Sequence, residues 1–152
     1  MSNKNLLVAE IQVIYKTKIK SSERPVVKDS RTSFQILSSL FDKNTIEMKE
    51  QMIMLCLNAS NRVIGWFNVS SGGVGSTIID PKIVFSTALK TIARGIILAH
   101  NHPSGSVLPS TSDIDSTKKL IEIGNLLDIS ILDHLIINAE GDYYSMSDEG
   151  NI

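Results

Sequence analysis

The sequence has one cysteine, Cys56, in 152 residues. An intramolecular disulfide and a cysteine-built zinc cluster are therefore excluded. Cys56 sits within the apolar run Met52-Ile53-Met54-Leu55-Cys56-Leu57, which points to a core thiol rather than a nucleophile. Long apolar stretches are missing too: no segment approaches the ~20 residues of a membrane-spanning helix. The residues after Met1 lead into alternating polar and apolar side chains instead of the continuous apolar stretch of a secretory leader. A soluble, cytoplasmic protein with no membrane partner is the expectation.

A large charge excess is also absent, and a net charge of −1 supplies no global attraction to nucleic acid. The distribution is uneven, however. Residues 1–31 carry seven Lys/Arg against three Asp/Glu, a balance of +4, which leaves −5 for the remainder. The cluster Lys16, Lys18, Lys20, Arg24, Lys28 and Arg31 reads equally well as a phosphate-touching arm or as a strand edge protected by lysines. The segment Gly72-Gly73-Val74-Gly75-Ser76-Thr77 lacks the lysine of a P-loop and the strand–loop–helix spacing of a dinucleotide site, so it reads as a flexible loop. The Cys-x-x-Cys and His-x-Glu pair of a zinc nucleoside deaminase is missing as well.

What is present is ordinary for one globular domain over residues 1–152: 42% hydrophobic and 20% charged residues. Leu7, Ala9, Ile11, Val13 and Tyr15 alternate with more polar neighbours and predict a strand with one buried face. Ser21 to Asp29 reads as a polar loop, and a helix is expected from about Ser30, with Phe34, Leu37, Leu40 and Phe41 on one stripe. Residues 51–57 and 62–69 predict paired strands across the turn Asn58-Ala59-Ser60-Asn61. Asp80-Pro81 opens a helix as N-cap and first residue, and Gly95 suits its C-terminal stop. Ile96–Ala99 predicts a central strand covered on both faces, followed by a helix from about Asp113 to Leu127. A strand over 129–138, a turn at Glu140-Gly141 and a short strand over 143–146 complete the chain. The expected fold is α/β or α+β, a mixed central sheet flanked by helices.

The stretch from His100 to Asp113 carries the chemistry. His100 and His102 follow a buried strand, and residues two apart on an extended chain point to the same side. Their imidazoles can converge beyond the carboxyl end of the sheet, where α/β ligand sites lie. Pro103, Gly105 and Pro109 shape a turning loop, and Asp113 falls at the start of the next helix, with Ser110 placed to cap it. Two imidazoles and a carboxylate make three protein ligands, which leaves a tetrahedral zinc ion one open position. Asn101 points the opposite way and reads as structural. Asp133 and His134 form a lesser candidate for a pair behind the ligands.

The spacing His-x-His-x7-Ser-x2-Asp resembles the JAMM (MPN+/JAB) metalloprotease motif, and the wording His-Asn-His-Pro-Ser-Gly is similar to the bacterial RadC family within it. Thr87-Ala88-Leu89-Lys90, Ile96-Ile97-Leu98-Ala99, Leu126-Leu127-Asp128-Ile129, Leu132-Asp133-His134-Leu135-Ile136 and Tyr143-Tyr144-Ser145 extend the likeness over most of residues 45–150. The resemblance implies the JAMM/MPN architecture, which is cytidine deaminase-like, with one zinc ion and hydrolysis of a peptide or isopeptide-type amide in a peptide or protein substrate. By the same resemblance Glu50, just ahead of the run 51–57, is the proton-handling base, with Glu47 lying a turn or loop earlier. Ser110 then orients water or donates a hydrogen bond to the developing oxyanion. Two rivals stand beside this reading: a DNA-associated factor, suggested by the DNA-repair label attached to RadC proteins, and an idle metal-binding scaffold.

Overall fold

The computed structural model describes residues 7–71 and 79–152. Helix α1 is Ser30–Ser38, followed by strands β1 (Gln51–Leu57) and β2 (Val63–Ser71), helix α2 (Pro81–Lys90), strand β3 (Gly95–Asn101), helix α3 (Thr111–Leu126), and strands β4 (Ser130–Ile137) and β5 (Tyr143–Ser145). The five strands form one sheet in the order β2-β1-β3-β4-β5. Only β3 and β4 run parallel, and α3 is the crossover that a parallel pair requires. β1 is antiparallel to both β2 and β3, and β5 is antiparallel to β4, so the sheet is mixed as expected.

The central strands are buried on both faces, which explains why β1 and β3 are almost wholly apolar. Their period of two sorts the core into two layers. Met52, Met54, Cys56, Ile96 and Leu98 face α2 and α3 through Val84, Phe85, Ala88 and Leu120. Ile53, Leu55, Leu57, Ile97, Ala99, Leu135 and Ile137 face α1 through Leu37 and Phe41. Cys56 is a buried core thiol, and burial pushes its pKa up. No helix among the described residues is long and apolar enough to cross a membrane.

Two expectations fail. Residues 7–20 contain no strand and lie exposed, despite the alternation of Leu7 to Tyr15. A period of two shows only that one face of a strand would be apolar; a ladder still needs a partner. Here the segment touches the body without pairing: the Tyr15 hydroxyl donates to the Ile64 carbonyl at 3.2 Å. The second failure concerns Gly95, which begins β3 rather than ending α2. Helix α2 stops at Lys90, and Ile92 occupies the left-handed region at φ 53° with the Ala93 amide returning to the Ala88 carbonyl. A β-branched residue there costs roughly 1–2 kcal/mol, which is why glycine is the expected stop. Gly95 serves close packing instead: a Cβ at this position would stand 2.8 Å from Leu132 Cδ1.

The remaining boundaries agree closely. Asp80 caps α2, with Pro81 as its first residue, and its side chain accepts from the Lys82 amide at 2.9 Å. Helix α3 begins at Thr111, two residues before the expected start, because Ser110 is its N-cap. The Ser21–Asp29 loop contains a single 3-10 turn at Ser21–Glu23. The glycine-rich segment from Gly72 to Thr77 lies outside the described residues.

Candidate metal centre

The site stands where β3 ends and α3 begins. His100 lies on the α2/α3 face of β3, continuing the row of Ile96 and Leu98, while Asn101 turns to the opposite face. His102 follows one step past the strand, its backbone amide donating to the Ile137 carbonyl of β4 at 3.2 Å. Asp113 sits in the first turn of α3. The Ser110 hydroxyl accepts from the Asp113 amide at 3.0 Å and the Ser110 amide donates to Asp113 Oδ2 at 2.8 Å, a reciprocal capping box that also aims the carboxylate.

The three side chains meet. His100 Nε2 and His102 Nε2 are 2.9 Å apart, and Asp113 Oδ2 is 3.5 Å from each. His100 is 2% exposed and the other two are partly buried. His102 Nδ1 lies 2.9 Å from the Ser106 carbonyl, which can only accept, so the ring proton belongs on Nδ1 and the Nε2 lone pair faces the other two groups. A tetrahedral zinc ion with ligand bonds of about 2.0–2.1 Å holds its ligands about 3.4 Å apart. The triangle observed here has that size, and a point about 2.1 Å from all three atoms exists just off its plane. With lone pairs turned inward, these three groups fit a divalent metal ion.

The electrostatics agree. Hydrogen bonding to Asp113 raises the His102 pKa against the effect of burial, with the charges of Asp113 and Glu50 acting in the same direction. Burial alone would raise Asp113, but the neighbouring His100 and His102 hold its carboxyl well below the usual carboxylate range.

Behind the ligands lies a buried chain of polar contacts. His100 Nδ1 is 2.7 Å from His134 Nε2, His134 Nδ1 is 2.7 Å from Thr117 Oγ1, and the Thr117 hydroxyl donates to the Asp113 carbonyl at 2.7 Å. His134 and Thr117 are fully buried. Asp133 turns away from this chain, accepting from the Ser145 hydroxyl at 2.6 Å and from the amides of His134 and Ser147 at 2.7 and 3.1 Å. The sequence pair Asp133-His134 is thus split between the two faces. Thr117 went unnoticed in the sequence; its one signal was its position four residues after Asp113, one helical turn deeper on the same face.

Glu50 precedes β1, where Met52 pairs with His100. Continuing that antiparallel register two steps would set Glu50 across from His102, and the Glu50 charge acts on the His102 ring. Asn101 anchors this approach: its Oδ1 accepts from the Gln51 amide at 2.8 Å, and its Nδ2 donates to the Ile46 and Lys49 carbonyls at 2.6 and 2.9 Å. Glu47, in contrast, lines a cavity of about 610 Å³ with Phe34, Phe41, Ile46 and Ile137, on the α1 face.

Known proteins share this arrangement of sequence. The RadC-like JAB domain family matches residues 27–151. A UPF0758 protein of Flavobacterium johnsoniae is 43% identical over 124 residues, 82% of this chain and 52% of the relative. A UPF0758 protein of Porphyromonas gingivalis is 40% identical over 136 residues, 88% of this chain and 59% of its own length. One from Methanosarcina barkeri is 41% identical over 115 residues, 76% and 50% respectively. The chain spans about half the length of these curated relatives. The match takes in α1, all five strands and the whole His100–Asp113 site, and reaches further toward the N-terminus than the likeness read from residue 45 onward: the chain belongs to the RadC-like JAB domain family.

Proposed function

We propose that the chain is a zinc-dependent hydrolase that cleaves a peptide or isopeptide-type amide. The observation that carries this reading is the triangle of His100 Nε2, His102 Nε2 and Asp113 Oδ2, three potential ligands at a spacing compatible with tetrahedral zinc, a number that would leave the ion one open position. When bound, zinc supplies a Lewis acid for the carbonyl and lowers the pKa of water from about 16 to about 7. Glu50, across from His102, then takes the proton of the attacking water and hands it to the leaving amine. Ser110 accepts from the Asp113 amide, which leaves its own hydroxyl proton for the carbonyl oxygen as negative charge develops there. The substrate is a protein or peptide, and the site works in the cytoplasm.

The test is metal content followed by a cleavage screen. The purified protein should carry about one zinc per chain, and His102→Ala should lose tight binding. Glu50→Gln should keep the metal and lose about 10²–10⁴-fold in hydrolysis, because an amide cannot accept the proton. Full metal in His102→Ala refutes the ligand set, and transfer of the defect to Glu47→Gln refutes the choice of base. Zinc binding with no hydrolysis of any peptide would favour the idle scaffold.

One observation favours a second reading, a nucleic-acid partner: Lys16, Lys18 and Lys20 lie on the exposed stretch 7–20, outside the helices and strands. Phosphate contacts make log affinity fall against log salt with a slope of about −0.9 per phosphate neutralised. Weak DNA binding that vanishes near physiological salt is the expected result. Tight binding that survives such salt, and is lost on reversing the three lysines to Glu, would put nucleic acid ahead of peptide hydrolysis.

A further inference from the structure

The two histidines of the site are held by partners of different kinds. His102 Nδ1 faces the Ser106 carbonyl, which has no proton to give, so the direction of that hydrogen bond cannot reverse. His100 Nδ1 faces His134 Nε2, an imidazole nitrogen that donates in one tautomer and accepts in the other. Whatever fixes the tautomer of His134 therefore decides whether His100 offers its Nε2 lone pair or an N–H to the site.

Thr117 is the group in contact with the other nitrogen. A threonine hydroxyl has one proton, and in α3 it is committed to the Asp113 carbonyl one turn back, at 2.7 Å. The oxygen can then only accept from His134 Nδ1, 2.7 Å away. His134 Nε2 is left without a proton and accepts from His100 Nδ1–H, and the His100 Nε2 lone pair points toward His102 and Asp113. We infer that Thr117 and His134 are positioning residues that set the His100 tautomer needed for metal binding, with the Asp113 carbonyl as the fixed end of the chain. The inference rests on the metal site proposed above. Its unusual feature is that Asp113 acts at both ends, through its carboxylate beside the ligands and through its backbone behind them.

Burial gives the chain its authority. His134 and Thr117 are 0% exposed and His100 2%, so no bulk water can substitute for a lost partner. Removing the Thr117 hydroxyl leaves His134 Nδ1–H without an acceptor. The ring relieves this by moving its proton to Nε2, which then donates to His100 Nδ1 and drives the His100 proton to Nε2, where the metal should sit.

Three measurements test this. Long-range ¹⁵N spectra of the imidazoles, recorded on metal-free wild-type protein at alkaline pH, should show His134 and His100 protonated on Nδ1; a wild-type His134 protonated on Nε2 overturns the inference without any variant. Thr117→Val, nearly isosteric, should move the His134 proton to Nε2 and weaken zinc binding about 10–100-fold in a chelator competition, the usual loss when a group behind a ligand is removed. Thr117→Ser keeps the oxygen and should restore both readings to near wild type. Unchanged tautomers and affinity in Thr117→Val, or a Thr117→Ser variant as impaired as Thr117→Val, overturn the proposal. If Thr117→Val does not fold, His134→Gln, whose carbonyl oxygen can accept from His100 Nδ1, should retain zinc while His134→Leu loses it; equal affinity in those two variants overturns the proposal. Wild-type protein that binds no zinc sinks the metal reading itself, whereas the tautomer spectra fail or hold independently of it.

Discussion

Replacing Asn101 with alanine should cost stability and hydrolysis together while sparing the metal. The side chain is fully buried and uses three of its hydrogen-bonding positions on the stretch that leads to β1: the Gln51 amide and the Ile46 and Lys49 carbonyls, at 2.8, 2.6 and 2.9 Å. A net hydrogen bond is worth about 1 kcal/mol, and a buried group left unpaired costs about 1–3 kcal/mol. Ile46, Lys49 and Gln51 are half-buried, so water recovers part of the loss, and the total should be about 3 kcal/mol. For a domain of this size that shifts Tm by about 6–12 °C. Asn101 touches neither histidine ring, so zinc affinity should stay within a few-fold of wild type, whereas hydrolysis falls because Glu50 is no longer pinned across from His102. Asn101→Asp is the sharper probe. Its carboxylate still accepts from the Gln51 amide but opposes two carbonyl oxygens, so it should be at least as damaging as alanine. Urea titration of metal-free protein, zinc competition and an activity assay read the three quantities separately. A stability loss under about 1 kcal/mol in both variants, or intact hydrolysis in the alanine variant, refutes the clamp.

Gly124→Ala should be strongly destabilising, by roughly 3 kcal/mol or more, since its Cβ would stand 2.3 Å from the Ile129 carbonyl oxygen and backbone must move; an unchanged urea midpoint would show that the α3–β4 turn is looser than described. The metal-free protein should lose stability as pH falls below about 6.5, by about 1.4 kcal/mol per pH unit. Burial, aided by the charge of His100, holds His134 well below the ordinary imidazole range, so the unfolded chain takes up the proton first and stability is fully present only above the unfolded pKa. Urea midpoints across that window should fall for wild type and stay flat for His134→Gln; parallel curves refute the assignment. Metal-free protein should still fold, because the two core layers do not include the ligands, and zinc at 100 times its Kd should add about 2.7 kcal/mol; a far-ultraviolet spectrum that collapses on chelation contradicts this.

The site was legible in the sequence because its logic is local. His100 and His102 share a face by strand period, Asp113 follows by loop length and helix start, and Ser110 announces the cap, so residues within fourteen positions outline a cluster that could hold a metal. The sheet was legible for a related reason: β1, β3 and β4 are apolar enough that burial on both faces is the only stable outcome. What could not be read was whatever depends on a partner far along the chain. The alternation of Leu7 to Tyr15 describes a strand in search of a ladder, and no ladder is present among the described residues. Ile92 in the left-handed region breaks the rule that a helix stop wants glycine, and only the packing of Gly95 against Leu132 shows why the glycine was needed elsewhere. His134 was a candidate from the sequence, but its contact with Thr117, seventeen residues away, emerges only when α3 is laid over β4.

The same period of two that builds the core also separates the tasks of the site. Even-numbered positions on β3 and β4 send His100 and His134 toward α3, where the candidate ligands and their buried polar contacts gather. The odd position between the two ligands sends Asn101 to the α1 face, where it ties down the segment carrying Glu50. A register slip of one residue in β3 would exchange these roles, placing the amide among the ligands and the histidines against backbone carbonyls. The register is secured on both sides, by β1 through Met52 to Leu57 and by β4 through Ser130 to Ile137. Only a central strand can be held in this way, and an edge strand such as β2 or β5 could not fix two opposed functions on adjacent residues.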